Sequence, residues 1–497
     1  MDLFDNLAIG FATAFSISNL FYCFLGVTVG TLVGVLPGLG PLAALSMLLP
    51  ITFTLPPVGA LIMLAGLYYG TQYGGSTTSI LMNVPGDPAS VVTCLDGHPM
   101  ARQGRAGPAL AAAALGSFFA GCLGTLAIAL VGPPLATYAL SFRSPEYFSL
   151  MVTGLICAAL LGQGSPIKSI GMVLMGLLLG CAGTDVNSGL PRFTFGINDL
   201  LEGIDFNAVA MGLYAISEMI ANLQRPGARD MLTNKVGRLM INREELSASW
   251  KPALRGAGVG GILGIMPGIG PVIASFAAYL VEKKVAKDPS RFGKGAIEGV
   301  VAPETANNMA AQTAFIPTLT LGLPGSATMA LMLSAMVIHG IIPGPGVITK
   351  HPDLFWGLVV SMWLGNALLL VLNLPLIPMW VQFLKVPDRW LWPSILLVCC
   401  IGGLSVSNSS FDILVLAAFG AVGFLFLVFK CEPAPLVLGF VLGPLMEQHM
   451  RRSLTFSRGD YSIFVTRPIS LILLLFAATI LMYMIVSMLR GRTNRLS

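Results

Sequence analysis

Two stretches concentrate polar side chains in an otherwise apolar chain. The first, YYGTQYGGSTTSILMNVPGD (68–87), supplies Thr71, Gln72, Ser76, Thr77, Thr78, Ser79, Asn83 and Asp87. The second, APETANNMAAQTAFIPTLTLGLPGSAT (302–328), supplies Glu304, Thr305, Asn307, Asn308, Gln312, Thr313, Thr318, Ser326 and Thr328. Hydroxyls and carboxamides can hydrogen-bond a carboxylated solute or coordinate Na⁺ without carrying a fixed charge. Membrane helices also use such residues as interhelical hydrogen bonds, and for any single hydroxyl that role competes with ligand binding. The adjacent pair Asn307-Asn308 is more telling, because two neighbouring carboxamides cannot both face lipid without a large desolvation penalty. Asp87 and Glu304 are candidate coupling carboxylates, able to hold a proton or cation; the alternative is an interfacial position for each.

Beside these clusters stand helix breakers. Pro-Gly pairs occur at Pro37-Gly38 and Pro85-Gly86, then again at Pro267-Gly268 and Pro324-Gly325. The phrases GTLVGVLPGLGP (30–41) and GGILGIMPGIGP (260–271) agree at six of twelve positions. Successive pairs lie 48 residues apart, proline to proline, in the first half and 57 in the second. Two ordered coincidences with matching flanks read as an internal duplication. Proline removes a backbone donor, and glycine tolerates the dihedrals needed to restart a helix. Within hydrocarbon the freed groups are tolerable only where protein, water or ligand satisfies them. Half-helix N-termini then offer N–H groups and a positive dipole end to a carboxylate, and half-helix C-termini offer carbonyls to a cation. All four Pro-Gly pairs, with Ser326, are therefore candidate solute- or cation-binding residues.

The elements that must position these groups are membrane helices. No Asp, Glu, Lys or Arg occurs between residues 6 and 86, a run of 81. Further charge-free runs cover 106–142, 256–281, 305–349, 354–384, 390–411 and 468–489. A spanning helix needs about 20 apolar residues. Hydrophobic residues make up 55 % of the chain and charged ones 10 %, against about 25 % charged in soluble proteins. The reading is an all-α polytopic membrane protein with roughly ten to twelve crossing or half-crossing segments. The first seven residues carry Asp2 and Asp5 but no basic residue, so the first apolar segment is expected to stay as an anchor rather than be cleaved.

Charge also suggests topology. Basic stretches at 225–255 and 282–294 flank the charge-free run 256–281, and both should face the cytoplasm. A segment that enters, breaks at Pro267-Gly268 and returns satisfies both; a single span does not. The first half opens after an acidic N-terminus and the second after a basic stretch, which favours inverted repeats. The expected division is 1–222 for the first repeat, 223–255 for a basic cytoplasmic connection, 256–450 for the second repeat, and 451–497 for a C-terminal connection and final helix. The tail leaves its own side open, because basic residues flank the 468–489 run at both ends.

Several functions are excluded or unsupported. There is no HExxH, Walker or G-x-S-x-G phrase, so no enzyme is expected. The four histidines show no metal-ligand spacing, the eight cysteines sit mostly in apolar surroundings as core filler, and neither a metal nor an organic cofactor is expected. A formal charge of +5 gathered beside apolar segments gives no support for nucleic acid.

At the level of whole motifs, the chain resembles the large membrane subunit of the tripartite tricarboxylate transporters, the TctA type. The phrases that carry the likeness are GTLVGVLPGLGP (30–41), YYGTQYGGSTTSILMNVPGDPASVVTCLDGHPMARQGRAG (68–107), GILGIMPGIGP (261–271), APETANN (302–308) and LGLPGSATMALML (321–333). The resemblance implies a multi-pass protein of the bacterial inner membrane that works with a small membrane subunit and a periplasmic solute-binding protein. It implies import of citrate or another organic carboxylate, driven by a Na⁺ or H⁺ gradient. A stand-alone secondary carboxylate transporter is the alternative. Gly74, Gly75, Ser76, Thr77, Thr78, Asn83, Pro85 and Gly86 fall in the family's first signature, and Pro303, Glu304, Asn307 and Asn308 in its second. Asp87 stands where Glu is usual, keeping the charge one methylene shorter, and His98 stands where Tyr is common, which leaves the solute open.

Overall fold

The structure is a computed structural model that describes residues 3–36, 40–161, 166–185, 188–223, 239–266, 270–383, 392–394, 396–401 and 409–493. Its first half runs α1 (Leu3–Ala14), α2 (Ile17–Val35), α3 (Pro41–Thr52), α4 (Pro57–Met82), α5 (Val91–Met100), α6 (Ala106–Ala139), α7 (Ser144–Leu161), α8 (Pro166–Gly180), α9 (Phe206–Ala210) and α10 (Ser217–Leu223). Its second runs α11 (Arg243–Ile265), α12 (Gly270–Val285), α13 (Glu298–Thr313), α14 (Phe315–Leu321), α15 (Ala327–Ile338), α16 (Gly346–Lys350) and α17 (Pro352–Asn373). Helices Ser410–Val428, Ala434–Phe456 and Pro468–Thr493 follow. The only sheet among the described residues is a two-residue antiparallel pair, Gly183–Thr184 with Pro191–Arg192.

Five described helical stretches are long and apolar enough to cross a membrane: Ile17–Val35, Pro88–Ala139, Pro352–Asn373, Ser410–Val428 and Pro468–Val486. The expectation of ten to twelve segments counted half-crossing pieces as well, and these five are the full-length candidates alone. Proline and glycine cut much of the remaining apolar sequence into helices of 10–17 residues, α3 and α15 among them. Helix α11 begins at Arg243, inside the stretch 223–255 expected to be a connection. A capping box explains the early start, with Asn242 accepting from Glu245 N–H and Glu245 reaching back to Asn242 N–H.

The charge-free run 256–281 folds back on itself. Its two flanking residues, Arg255 on α11 and Glu282 on α12, form a bidentate ion pair at 2.6 and 2.7 Å. A single straight helix would hold those ends about 40 Å apart. Cysteines introduced at Arg243 and at Lys287 should therefore give the same answer to a membrane-impermeant thiol reagent in intact cells, both shielded. Labelling of one alone would mean that the run spans the membrane.

Glycine stripes set the close packing that makes the fold possible. On α2, a Cβ added at Gly26, Gly30 or Gly34 would strike the backbone of Met63, Leu67 or Thr71 on α4. On α11, Gly256, Gly260 and Gly264 stand in the same way against Ala302, Ala306 and Ala310 of α13. The facing stripe on α4 is Gly66, Gly70 and Gly74, each pressed against α2. Small residues every fourth position let membrane helices approach backbone to backbone. In this register Tyr68 and Asn307 occupy the same place in their respective helices.

The two halves also end and restart their broken helices alike. Asn83 ends α4 in the left-handed region (φ 55°), and Gly322 ends α14 there (φ 69°). Four residues on, Asp87 caps the Pro88–Ser90 turn that leads into α5, and Ser326 caps α15. Contacts are exchanged between the halves: α6 packs on α13 and α17 on α4, while α3 meets α15 and α12 meets the Pro88–Ser90 turn. A buried carboxylate clamps the exchange. Asp96 Oδ1 on α5 accepts the N–H groups of Gly293, Gly295 and Ala296 at 2.8–2.9 Å, and its Oδ2 accepts the Tyr279 hydroxyl at 2.9 Å.

Candidate solute and ion site

The restarting helices converge on one cavity of about 480 Å³. Gly40, Pro41, Leu42 and Ala43 bring the start of α3 to it, and Gly270, Pro271, Val272 and Ile273 bring the start of α12. Ser326, Ala327 and Thr328 add the start of α15. Proline at the first turn lacks an N–H, so it begins a helix without wasting a donor. Gly40 gives α3 no side-chain cap, leaving first-turn N–H groups to whatever fills the cavity. Gly270 has φ +62°, a conformation that favours glycine and sets the direction in which α12 departs. Three helix starts of this kind amount to roughly half a positive charge each.

The other lining groups are unlike those of a simple anion pocket. Asp87, Glu218 and Glu432 all line the cavity, and no Lys, Arg or His does so among the described residues. Tyr214 also lines it, and its hydroxyl is buried without a hydrogen-bond partner. Asp87 is engaged locally. Its Oδ1 accepts from Ser90 N–H at 2.9 Å, which closes the turn after Pro85-Gly86. Gly86 rests directly on Gly75 of α4, where any side chain would collide.

Behind the cavity wall lies a second polar cluster, shared by α4, α5, α6 and α13. Gln72 lines the cavity and accepts a 3.0 Å hydrogen bond from Asn307 Nδ2. Asn307 Oδ1 is buried without a partner. Asn308 Nδ2 donates to Ser117 Oγ on α6 at 2.7 Å and to the Glu304 carbonyl at 3.1 Å. The Glu304 carboxylate is 1 % exposed. It accepts from Ser76 Oγ on α4 at 2.6 Å and from Thr93 Oγ1 on α5. No basic side chain among the described residues pairs with it. A buried carboxylate without a countercharge is costly unless it is neutralised, so this arrangement suits a group that takes up a proton or a cation.

The residues expected from sequence separate into three groups. Pro85, Gly86, Asp87 and Ser326 line the cavity. Ser76, Glu304, Asn307 and Asn308 form the cluster behind it, with Thr77 beside them at a smaller chamber. The others hold the frame. Thr78 Oγ1 donates to the Val35 carbonyl at the end of α2, Gly74 packs on α2, and Pro324-Gly325 lies off the cavity lining. Asn83 is exposed and acts through its backbone as the left-handed end of α4. Pro37, Gly38, Pro267 and Gly268 lie outside the described residues. Thr93, Ser117, Tyr214, Glu218, Glu432 and Asn373 were not singled out from sequence. None of them belongs to a run of polar residues like those at 68–87 and 302–328, so each is a weak signal without its distant partner.

Comparison with known proteins adds the remaining information. The model of the Tripartite tricarboxylate transporter TctA family matches residues 20–438. A protein of Agrobacterium vitis described as "Uncharacterized 52.8 kDa protein in TAR-I ttuC' 3'region" is 53 % identical over 474 residues, covering 95 % of this chain and 94 % of that one. A second from the same organism, "Uncharacterized protein in TAR-II ttuC' 3'region", is 54 % identical over 215 residues, covering 43 % of this chain and 89 % of that one. No solved structure matches the chain. Matched along most of its length by a transporter family and built of apolar helices, the chain is a multi-pass membrane protein that belongs to the tripartite tricarboxylate transporter TctA family.

Proposed function

We propose that this protein is the large permease subunit of a binding-protein-dependent tripartite system that imports an organic carboxylate, a di- or tricarboxylate, across the bacterial inner membrane. A small membrane subunit and a periplasmic solute-binding protein complete the system, and a Na⁺ or H⁺ gradient drives it. The carrying observation is the 480 Å³ cavity onto which the duplicated Gly-Pro helix starts open from both halves. Exchange of contacts between the halves supports two inverted repeats that rock about this site.

Charge supports the coupling. Three helix starts contribute roughly +1.5, while Asp87 stands in the same cavity and no described basic side chain lines it. The helix starts alone do not balance a di- or tricarboxylate together with Asp87. Cations that enter with it, on carboxylates or in the polar cluster, make the loaded state tolerable.

The test is uptake into vesicles holding this chain, the small membrane subunit and the cognate binding protein. A Na⁺ or pH gradient imposed without ATP should drive carboxylate accumulation, and the matching ionophore should collapse it. Accumulation that needs ATP and ignores both gradients would overturn the coupling. Full uptake without the binding protein would favour a stand-alone transporter.

A further inference from the structure

A second, much smaller chamber adjoins the polar cluster between α4, α6 and α17, with room for about 10 Å³. That is the space of a single water molecule or an ion of similar size. Five of its lining side chains bear oxygen: Tyr73, Ser76, Thr77, Ser117 and Asn373, of which the Tyr73 hydroxyl is engaged in donating to Asn366 Oδ1 at 2.6 Å. Asn373 is 3 % exposed, and its Oδ1 has no hydrogen-bond partner, while its Nδ2 is engaged by the Leu369 carbonyl at 3.0 Å.

The proton accounting favours a cation over a donor. The Ser76 hydroxyl hydrogen is taken by Glu304 Oε2 at 2.6 Å or by the Gln72 carbonyl at 3.2 Å, and either leaves the Ser76 oxygen with lone pairs for the chamber. Ser117 Oγ already accepts from Asn308. Asn373 presents a bare carbonyl oxygen. One buried negative charge, Glu304, stands behind Ser76 without a basic partner among the described residues. Neutral oxygens around a water-sized space with a single compensating charge match a monovalent ion of sodium's size. A proton would need no chamber, and a divalent ion would be left with uncompensated charge.

We propose that this chamber is a sodium site, with Asn373 Oδ1 and the oxygens of Ser76, Thr77 and Ser117 as ligands and Glu304 as the charge that balances it. The inference deepens the transport reading above by locating its coupling ion. Since Ser76 and Thr93 tie Glu304 to α4 and α5, which flank the Pro85-Gly86 break, occupancy of the chamber acts on the wall of the solute cavity.

Binding to the folded state alone raises the unfolding midpoint. The probe is NaCl, titrated against the purified full chain in detergent with choline chloride holding ionic strength constant. The wild-type midpoint should rise with Na⁺ and not with K⁺ or choline. Asn373→Leu should shift the Na⁺ dependence to concentrations about tenfold higher or more, the loss of one ion contact. Asn373→Asp, which keeps the oxygen, should restore the response, and this rescue separates a ligand from a packing residue. A wild-type midpoint indifferent to Na⁺, or Asn373→Leu responding like wild type, would mean that the chamber holds a water only. These readouts do not involve the carboxylate. A Na⁺ response lost in Asn373→Leu would stand even if the vesicles failed to accumulate carboxylate, whereas accumulation with unaltered Na⁺ dependence in Asn373→Leu would refute the site and spare the transport reading.

Discussion

Gly260→Leu should leave almost no folded protein in the membrane. The Cβ alone would overlap the backbone carbonyl of Ala306, with Ala306 Cα also within 3 Å. Both atoms belong to a helix backbone, so no side chain can swing aside. Ordinary overpacking, where side chains yield, costs about 1–3 kcal/mol. Here α11 must part from α13 along the whole stripe of Gly256, Gly260 and Gly264, and the loss should exceed about 4 kcal/mol. Gly258 supplies the control, because a Cβ there meets nothing within 4 Å. Gly258→Leu has the same effect on helix propensity and hydrophobicity. Detergent extraction followed by size-exclusion chromatography should show a monodisperse peak for Gly258→Leu and aggregate or nothing for Gly260→Leu. Equal peaks for both would mean that the α11–α13 contact does not hold the fold together. Gly30→Leu on α2, against Leu67 of α4, should repeat the result in the other half.

These contacts mark the line between what the sequence discloses and what it conceals. Broken helices are local chemistry, so Pro-Gly pairs inside charge-free runs could be read directly. The hairpin at 256–281 was legible because the charges that close it, Arg255 and Glu282, are the residues that bound the run. Asn83 shows the opposite. Its carboxamide suggested a ligand, yet its place is set by a left-handed backbone that asparagine tolerates and that Gly322 adopts at the matching point of the other half. The partners of Glu304 and Asn308 were hidden for a different reason. Thr93 lies 211 residues from Glu304 and Ser117 lies 191 from Asn308, and no periodicity within one helix announces such pairs. Asn373, near the end of an apolar helix, reads as filler until α4 and α6 are placed beside it.

Glu304→Gln should abolish gradient-driven uptake while leaving the protein folded. The two parts of this expectation have separate causes. Glutamine keeps the volume of the side chain and an oxygen that can accept from Ser76 or Thr93, so the contacts among α4, α5 and α13 survive in large part. It also removes a buried charge that has no basic partner among the described residues, and neutralising such a group tends to be harmless or stabilising. Coupling should not survive. A carboxylate one hydroxyl away from a cation, roughly 5 Å, contributes on the order of 3 kcal/mol at an effective dielectric constant of about 20. Its loss weakens ion binding by roughly a hundredfold, enough to empty the site at ordinary ion concentrations. Uptake should therefore reappear only partly when the driving ion is raised, with abundance and monodispersity unchanged. Asp87→Asn provides the contrast, because asparagine retains the oxygen that caps the Pro88–Ser90 turn. It should lower solute transport less and leave ion dependence near that of the wild type. If Asp87→Asn abolished the ion dependence and Glu304→Gln preserved it, the coupling charge would sit in the solute cavity itself and the role assigned to Glu304 would be wrong.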